Sequence, residues 1–258
     1  MLDDATSRPA RVASLWRYPV KSMQGERVDE LSVESNGVAG DRVHGVLNLE
    51  SGTILSAKRE GRLLEAAAEL RSGVLVVTLP SGGEYREGGR LDDALSNWLG
   101  YPVTLALAST FGVATFESPE DFERDDSPVV SWEGQGGRFV DESALHLLTS
   151  HEMAQLSSER PDLQWDVRRF RANVVVEDDG DVLDVVAHQR VGIGEVEIEI
   201  EKPCSRCVMT TRPQPGGLER ELDVLRHVTR AHDGSVGTRA RVLRPGVVRD
   251  GDEVRLVG

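Results

Sequence analysis

Turn residues divide this chain into many short runs that have the spacing of β-strands. The clearest run, residues 195–200, alternates glutamate with valine or isoleucine, which places the glutamates on one face of a strand and the aliphatic side chains on the other. Residues 43–49 and 53–57 flank a short polar turn, and this spacing predicts a β-hairpin. Many short strands joined by turns favour a mainly β (α+β) fold, a barrel with added helices.

Helical patterns are fewer. Residues 91–99 have helical spacing and are followed by glycine, which is typical of a helix end. Thr149 and Glu152 have the spacing of a capping box, which predicts a helix over residues 149–158 with free N–H groups at its start for an anion. Leucines and a valine recur on one face of residues 218–228, which predicts a third helix. The remaining strand predictions are residues 11–18, 74–79, 173–176, 191–193, 236–243 and 254–257.

One long segment shows little periodicity. Residues 109–137 are rich in serine, aspartate, glutamate, proline and glycine, which predicts a long surface connection or domain junction. At 258 residues the chain is long enough for one large or two modest domains. We therefore predict a β-rich amino-terminal domain over residues 8–108 and a second domain over residues 109–258.

The composition predicts a soluble acidic protein. No apolar stretch approaches the ~20 residues that cross a bilayer, and residues 1–4 do not begin a cleavable leader, so we expect a cytoplasmic protein without a membrane partner. The 44 acidic and 30 basic side chains give a net charge of -14, which repels nucleic acid at long range and excludes it as an expected partner. Lysine occurs at positions 21, 58 and 202 alone. An acidic, lysine-poor surface suits a salt-rich cytoplasm, although a GC-rich genome also favours arginine.

The two cysteines of the chain stand three positions apart and allow four interpretations. Cys204 and Cys207 could bind zinc together with His227 and His232, although the 19 residues between Cys207 and His227 exceed ordinary finger spacing. A redox pair requires the cysteines at the start of a helix, whereas the β-branched residues that follow favour extended chain. Two inert buried cysteines are the third interpretation.

The fourth interpretation uses the flanking charges. Lys202 and Arg206 would favour the thiolate form of a neighbouring cysteine, and thiolate is the form that binds a soft or high-valent metal. A metal centre with one protein thiolate therefore accounts for more of this segment than the other interpretations do.

Four segments of the chain match a known set of motifs. They are residues 18–22 (Tyr-Pro-Val-Lys-Ser), 40–42 (Gly-Asp-Arg), 169–173 (Arg-Phe-Arg-Ala-Asn) and 204–211 (Cys-Ser-Arg-Cys-Val-Met-Thr-Thr). In content and order they resemble the signatures of the MOSC family, the molybdenum-cofactor domains that include amidoxime-reducing enzymes. The resemblance covers nearly the full length and implies a MOSC-type β-barrel core, preceded by a MOSC N-terminal β-rich domain, with a few peripheral helices.

The resemblance also implies roles for individual residues. In the family pattern the second cysteine of the pair ligates molybdenum, so Cys207 would be the metal ligand and the catalytic residue. The cofactor, molybdenum bound to molybdopterin, carries a phosphate and a polar pterin, for which lysine and arginine are suitable donors. The residues implied in cofactor binding are Lys21, Ser22, Arg42, Thr149, Ser150, Arg171, Asn173, Arg206 and Thr210.

Structural roles are the alternative for several of these residues. Lys21 could be a solvated surface lysine, Arg42 could form a salt bridge with Asp41, and Asn173 could cap a turn. The chain also departs from the family pattern: His44 stands where relatives commonly carry an aromatic residue, and the segments 212–217 and 237–239 differ from theirs. These departures leave the substrate open.

The activity implied by the resemblance is two-electron reduction of N-hydroxylated compounds such as amidoximes, hydroxylamines and N-hydroxylated bases. The chain has no further cysteines for an iron–sulfur cluster, so electrons are expected from a separate ferredoxin or flavoprotein reductase. Two alternatives remain: a carrier of molybdenum cofactor or sulfur that uses Cys207 as a persulfide, and a zinc-stabilised binding module.

Overall fold

The computed structural model describes residues 9–124, 126–134, 136–178 and 188–257. Residues 1–4, for which no cleavable leader was predicted, lie outside the described ranges. So does residue 8, at which the predicted amino-terminal domain begins. The helices are α1 (Gly89–Leu99), α2 (Ser150–Glu159), α3 (Val167–Phe170) and α4 (Leu222–Ala231), and 3-10 turns occur at Gly61–Glu65, Ala108–Thr110 and Val208–Thr211.

The described residues are mostly strands. In chain order these are β1 (Arg11–Arg17), β2 (Glu26–Val28), β3 (Glu30–Glu34), β4 (Gly37–Val38), β5 (His44–Asn48), β6 (Ala67–Arg71), β7 (Val74–Thr78), β8 (Glu84–Arg86), β9 (Val103–Leu107), β10 (Thr115–Pro119), β11 (Val129–Glu133), β12 (Leu145–Thr149), β13 (Val174–Glu177), β14 (Arg190–Ile193), β15 (Val196–Ser205), β16 (Ser235–Arg244), β17 (Gly246–Arg249) and β18 (Val254–Val257). The predicted mainly β class is confirmed.

The largest sheet has eight strands in the order β18-β14-β15-β16-β12-β13-β1-β2. Its pairs are antiparallel apart from β12 and β13, which are parallel and are connected through α2 and α3. The predicted barrel needs correction, because no continuous ladder closes this sheet within the described ranges. Arg11 of β1, the strand next to one edge, forms an isolated bridge with Glu253, which directly precedes β18 at the other edge, so the sheet is strongly curled but remains open.

The core of this sheet follows the alternation seen in the sequence. Val196, Ile198 and Ile200 of β15 are buried in a cluster with side chains from β1, β12 and β13. The prediction that the glutamates of this run face solvent is only partly correct. Glu195 is exposed, whereas Glu199 is buried and forms an ion pair with Arg241 at 2.8 Å. Burial of these aliphatic side chains sets the register, since a shift of one residue would expose them all.

The amino-terminal half forms a second core. Strands β5 and β9 pair, β6, β7 and β8 form a three-stranded sheet, and α1 packs beside them. As predicted, α1 ends at Gly100, which adopts a left-handed conformation (φ 82). Strands β1 and β2 instead join the large sheet, beside β13, so both halves of the sequence contribute to that sheet. The division at residues 108 and 109 stays a prediction.

Three local predictions were wrong in part. The chain turns back after β5, but residues 53–57 contribute a single bridge, Leu47 with Ile54, and the strand partner of β5 is β9. Residues 109–137 are not a plain connection, because β10 and β11 form a hairpin within them. Leu218 is buried but precedes α4, which starts after Glu221. In the part of the chain described here, no helix has the length and apolarity to span a membrane.

Candidate functional site

A cavity of about 420 Å³ lies where the two halves of the chain meet. It brings together the four motif segments that are far apart in the sequence. The described residues of its wall are Lys21, Ser22, Arg42, Lys58, Ser118, Trp132, Phe139, Val140, Asp141, Glu142, Ser143, His146, Arg169, Phe170, Arg171, Asn173, Cys204, Ser205, Arg206, Cys207, Met209, Thr210 and Arg239.

The two cysteines differ in their surroundings. Cys204 lies within β15 and is buried, whereas Cys207 precedes the 3-10 turn Val208–Thr211 and is half-buried. Thr210 closes this turn by donating its hydroxyl to the carbonyl oxygen of Cys207 at 2.9 Å. Cys207 is therefore the more exposed of the two cysteines in the wall, and its backbone carbonyl is held by Thr210.

Two arginines fix the chain around this turn: Arg169, which is buried, and Arg206, which is half-buried and directly precedes Cys207. Arg169 donates to the carbonyl oxygen of Thr210 at 3.1 Å and to that of Glu219 at 3.0 Å. Arg206 donates to the carbonyl oxygens of Phe170 and Val236 at 2.9 and 2.8 Å. These bonds to backbone oxygens replace the water that a guanidinium loses on burial, so both residues act as fixed supports of the site.

His146 is a neutral member of the wall. Its Nε2 atom lies 2.5 Å from Nη2 of Arg206. Burial, together with the charges of Arg206 and Arg239, holds the pKa of His146 well below its usual value. The imidazole therefore accepts a hydrogen bond at neutral pH and adds no charge to the cavity.

Lysine and aspartate side chains form a cluster at another part of the wall. Nζ of Lys21 lies 2.6 Å and Nζ of Lys58 3.0 Å from the carboxylate of Asp141. Burial raises the pKa of Asp141, but the two ammonium groups outweigh it and bring the pKa below its usual value. Each ammonium also lies 4.0 Å from an aromatic ring centre, that of Phe116 and Trp132 respectively. Lys21 is thus a buried, paired cation and not a solvated lysine.

Asp41 connects the first three motifs. One of its carboxylate oxygens accepts hydrogen bonds from the backbone N–H of Tyr18 at 2.8 Å and from the side-chain amide of Asn173 at 3.1 Å. The other oxygen lies 2.5 Å from Nη1 of Arg42. The Arg42–Asp41 salt bridge considered from the sequence is therefore present, and it fixes the arginine at the edge of the cavity.

Arg171 has unused hydrogen-bonding capacity. It donates from Nη1 to the carbonyl oxygen of Met23 at 2.6 Å, and its guanidinium lies 4.2 Å from the ring centre of Tyr18. Its buried Nη2 atom has no hydrogen-bond partner. Burial and the neighbouring charge of Arg42 lower the pKa of Arg171 to about 10, so the group stays charged at pH 7. An anion in the cavity would satisfy both the free donor and the charge.

The backbone is strained at three of the predicted residues. Ser22, Arg42 and Arg171 adopt left-handed conformations with φ of 68°, 51° and 57°, which residues other than glycine rarely adopt. Such conformations cost about 1–3 kcal/mol each and concentrate at functional sites. Here each one lies in the cavity wall.

The charge of the cavity is opposite to that of the whole chain. Its described wall carries seven lysine and arginine side chains and two carboxylates, whereas the chain has a net charge of -14. Clustered cations in a concave space attract anions more strongly than the same cations on an open surface, because less water screens them. The arrangement can therefore hold a polyanion beside the sulfur of Cys207.

Eight of the ten predicted site residues line this cavity. The other two do not: Thr149 caps α2 with Glu152, and the hydroxyl of Ser150 lies 3.5 Å from the carbonyl oxygen of Asp178. Asn173 caps no turn, since its amide donates to Asp41 and to the carbonyl oxygen of Trp16.

The structure also decides between interpretations of the cysteines. His227 and His232 make a cluster with Glu159 that includes neither cysteine, so a shared zinc site of two cysteines and two histidines is wrong. The cysteines are unpaired, and the turn after Cys207 is one 3-10 turn, not a long helix. This geometry does not support a redox pair.

Lys58, Asp141 and the organising role of Asp41 were not predicted from the sequence. For Lys58 a clue existed, because the chain has three lysines and two of them face this cavity. For Asp141 the sequence contained no such clue, since nothing in the local pattern distinguishes this aspartate from the other acidic residues of the chain.

Close packing at Gly237 yields a stability prediction. A methyl group at this position would lie 2.6 Å from both Nε2 of His146 and the carbonyl oxygen of Leu147, and φ is 75°. We expect Gly237→Ala to lower the free energy of unfolding by more than the ~1 kcal/mol that an unfavourable backbone conformation costs. Gly234→Ala is the matched control, because φ is 72° there but nothing lies within 4 Å. Urea unfolding measures both, and equal losses would contradict the steric argument.

Together, the curled sheet and the cation-lined cavity define a class of α+β protein in which a half-buried cysteine shares a cavity with clustered basic side chains. Comparison with known families agrees with this class. Residues 135–255 match the MOSC domain, and residues 9–96 match the MOSC N-terminal beta barrel domain. The chain belongs to the MOSC family, which is associated with the molybdenum cofactor.

Individual relatives are distant. Mitochondrial amidoxime-reducing component 1 of Homo sapiens is 25% identical over 96% of this chain and 83% of its own length. Molybdenum cofactor sulfurase of Drosophila yakuba is 32% identical, over 37% of this chain and 12% of that protein. Among solved structures, the YUAD protein from Bacillus subtilis superposes with a TM-score of 0.44 at 14% identity, over 96% of each chain.

Proposed function

We propose that this protein is a molybdenum-cofactor-dependent oxidoreductase that reduces N-hydroxylated compounds. Cys207 would ligate the metal, and a separate ferredoxin or flavoprotein reductase in the cytoplasm would supply electrons. The observation that carries the proposal is the juxtaposition, in one cavity, of a half-buried cysteine and the free buried donor of Arg171. The full-length likeness to an amidoxime-reducing component favours reduction of N–O bonds.

The wall residues fit the proposed cofactor in charge and donor type. Lys21, Lys58, Arg42 and Arg171 would hold its phosphate and pterin, since guanidinium and ammonium groups are strong donors to phosphate. Cys207 offers the soft ligand that a thiolate-binding metal needs. When bound, the cofactor would supply a centre that accepts and releases two electrons.

The remaining residues would position these groups. Arg169 and Thr210 hold the turn that carries Cys207, and Asn173 holds Asp41, so its side chain would act on the cofactor through Arg42. The overall reaction balances as an N-hydroxylated compound plus two electrons and two protons giving the reduced nitrogen compound and water.

A second candidate function is that of a carrier, because Cys207 is a free, half-buried cysteine that could hold a sulfur atom as a persulfide. In that case the protein would transfer molybdenum cofactor or a persulfide sulfur, in line with the partial match to a molybdenum cofactor sulfurase.

Elemental analysis after anaerobic purification separates the two functions. The oxidoreductase is expected to retain close to one molybdenum and one pterin per chain, together with activity towards benzamidoxime and an artificial electron donor. Metal-free protein that carries a reducible sulfur adduct on Cys207, and shows no reductase activity after cofactor is supplied, would contradict the proposal and favour the carrier.

A further inference from the structure

A second group of metal-binding side chains lies apart from the cavity, where the ends of α2 and α4 meet. Glu159, the last residue of α2, uses one oxygen atom, Oε2, for two hydrogen bonds, to Nε2 of His227 at 2.8 Å and to Nε2 of His232 at 2.7 Å. The three ligand atoms all lie within 4.8 Å of one another. Neither histidine nor the glutamate belongs to the described wall of the cavity.

The two histidines converge because α4 ends at the second of them. His227 lies inside the helix, and the backbone leaves the helical conformation at His232 (φ -129, ψ 29). In a continuous helix, residues five apart would face directions about 140° apart. The end of the helix instead brings the two ring centres to 5.6 Å, so both rings face the same carboxylate.

Neighbouring side chains hold this arrangement. Gln155 donates to the other oxygen of Glu159, Oε1, at 2.9 Å, which leaves Oε2 for the histidines. Trp165 packs edge-on against the ring of His227, with 5.8 Å between ring centres. The side chains of His227 and His232 are 15% and 18% exposed, so an ion could enter from solvent and still be partly shielded. Such outer contacts orient the ligands in known metal sites.

We propose that Glu159, His227 and His232 form a binding site for a divalent transition-metal ion, zinc above all, that joins the ends of α2 and α4. Two imidazole nitrogens, one carboxylate oxygen and a water are a four-coordinate set that zinc accepts. Zinc bonds of about 2.0–2.1 Å place tetrahedral ligand atoms about 3.3 Å apart, so Oε2 would retreat from each ring nitrogen by roughly 0.5 Å. In the hydrogen-bonded arrangement each Nε2 carries a proton, because a carboxylate oxygen only accepts. On zinc binding each imidazole would give up that proton, coordinate through Nε2 and carry its remaining proton on Nδ1.

Calorimetric titration with zinc tests the site in the full chain. The Cys204→Ser/Cys207→Ser background removes the thiols as competing ligands and makes the result independent of the proposed cofactor. We expect one zinc ion per chain, at least ~100-fold weaker binding after His227→Ala/His232→Ala, and ~10-fold weaker binding after Gln155→Ala, since outer partners usually contribute 10- to 100-fold. His151→Ala, which changes an exposed histidine of the same helix α2, is the matched control and should bind as the background does.

Thermal unfolding keeps the test decisive if the double variant folds poorly. Zinc in ~100-fold excess over its dissociation constant should raise the melting temperature of the background chain by several degrees, because the ion binds the folded state. Glu159→Gln preserves the shape of the side chain but removes its negative charge, and should lose most of this rise. No stoichiometric binding to the background chain, or an equal rise in Glu159→Gln, would overturn the proposal.

Discussion

Replacing Cys207 with serine is expected to abolish reduction of benzamidoxime, with a fall in rate of at least about a thousandfold. The reason is that serine is a poor ligand for a soft metal, and losing several kcal/mol of stabilisation at the reacting centre corresponds to a change of this size. The side chain is half-buried and has nearly the same shape in the variant, so the melting temperature should stay close to that of the wild type. Steady-state rates with an artificial donor, together with thermal unfolding, provide the measurement.

Cys204→Ser is the matched control for this experiment. Cys204 lies in β15 and is buried, and its sulfur makes a weak contact at 3.9 Å with the carbonyl oxygen of Ser205. We expect a modest loss of stability and retention of most activity. Full activity of Cys207→Ser would reject the assigned ligand, and loss of activity from Cys204→Ser alone would assign the role to the other sulfur.

Replacing Asp41 with alanine is expected to lower the free energy of unfolding by about 3–5 kcal/mol, the usual range when one partner of a buried ion pair is removed. Asp41 is 1% exposed. Its loss would leave Arg42 without its carboxylate, and the Asn173 amide would keep only its 3.3 Å hydrogen bond to the carbonyl oxygen of Trp16. It would also remove the negative charge that offsets the guanidinium groups of Arg42 and Arg171, which lie 4.7 and 4.2 Å from the centre of the Tyr18 ring. Urea unfolding of the purified protein measures the change.

Two further variants show whether the loss arises from the ion pair. Asp93→Ala, at an exposed position of α1, should change stability by no more than about 0.5 kcal/mol. Asp41→Ala/Arg42→Met should lose less than the sum of the two single changes, because residues that share an interaction are not additive. Additive losses would mean that Asp41 stabilises the fold through Tyr18 and Asn173 alone.

Predictions from local pattern succeeded where one segment decides its own conformation. The capping box of Thr149 and Glu152 starts α2, and Gly100 ends α1. They failed where the partner of a segment lies far away in sequence. Residues 53–57 have a strand-like pattern, but β9 occupies the edge of β5 instead. The hairpin of β10 and β11 was missed because its polar, proline-containing sequence shows weak alternation.

The candidate site shows the same division. Its motif residues were recognisable because thiol, lysine and arginine side chains occur in characteristic short segments. Lys58 and Asp141 were not, since their pairing across the cavity depends on contacts between remote segments. The cluster of Glu159 with His227 and His232 likewise joins two helices that the sequence alone could not place side by side.

The residue pattern alone was sufficient to establish a mainly β chain with few helices, an excess of negative charge and four segments of family-specific chemistry. These properties depend on neighbours in sequence. The packing of the folded chain decided which cations share a cavity with Cys207 and which histidines share a carboxylate. Strand pairing such as that of β1 with β13 brings the first and third motifs together, and it is selected by burial of apolar side chains from the whole chain, which no single segment encodes.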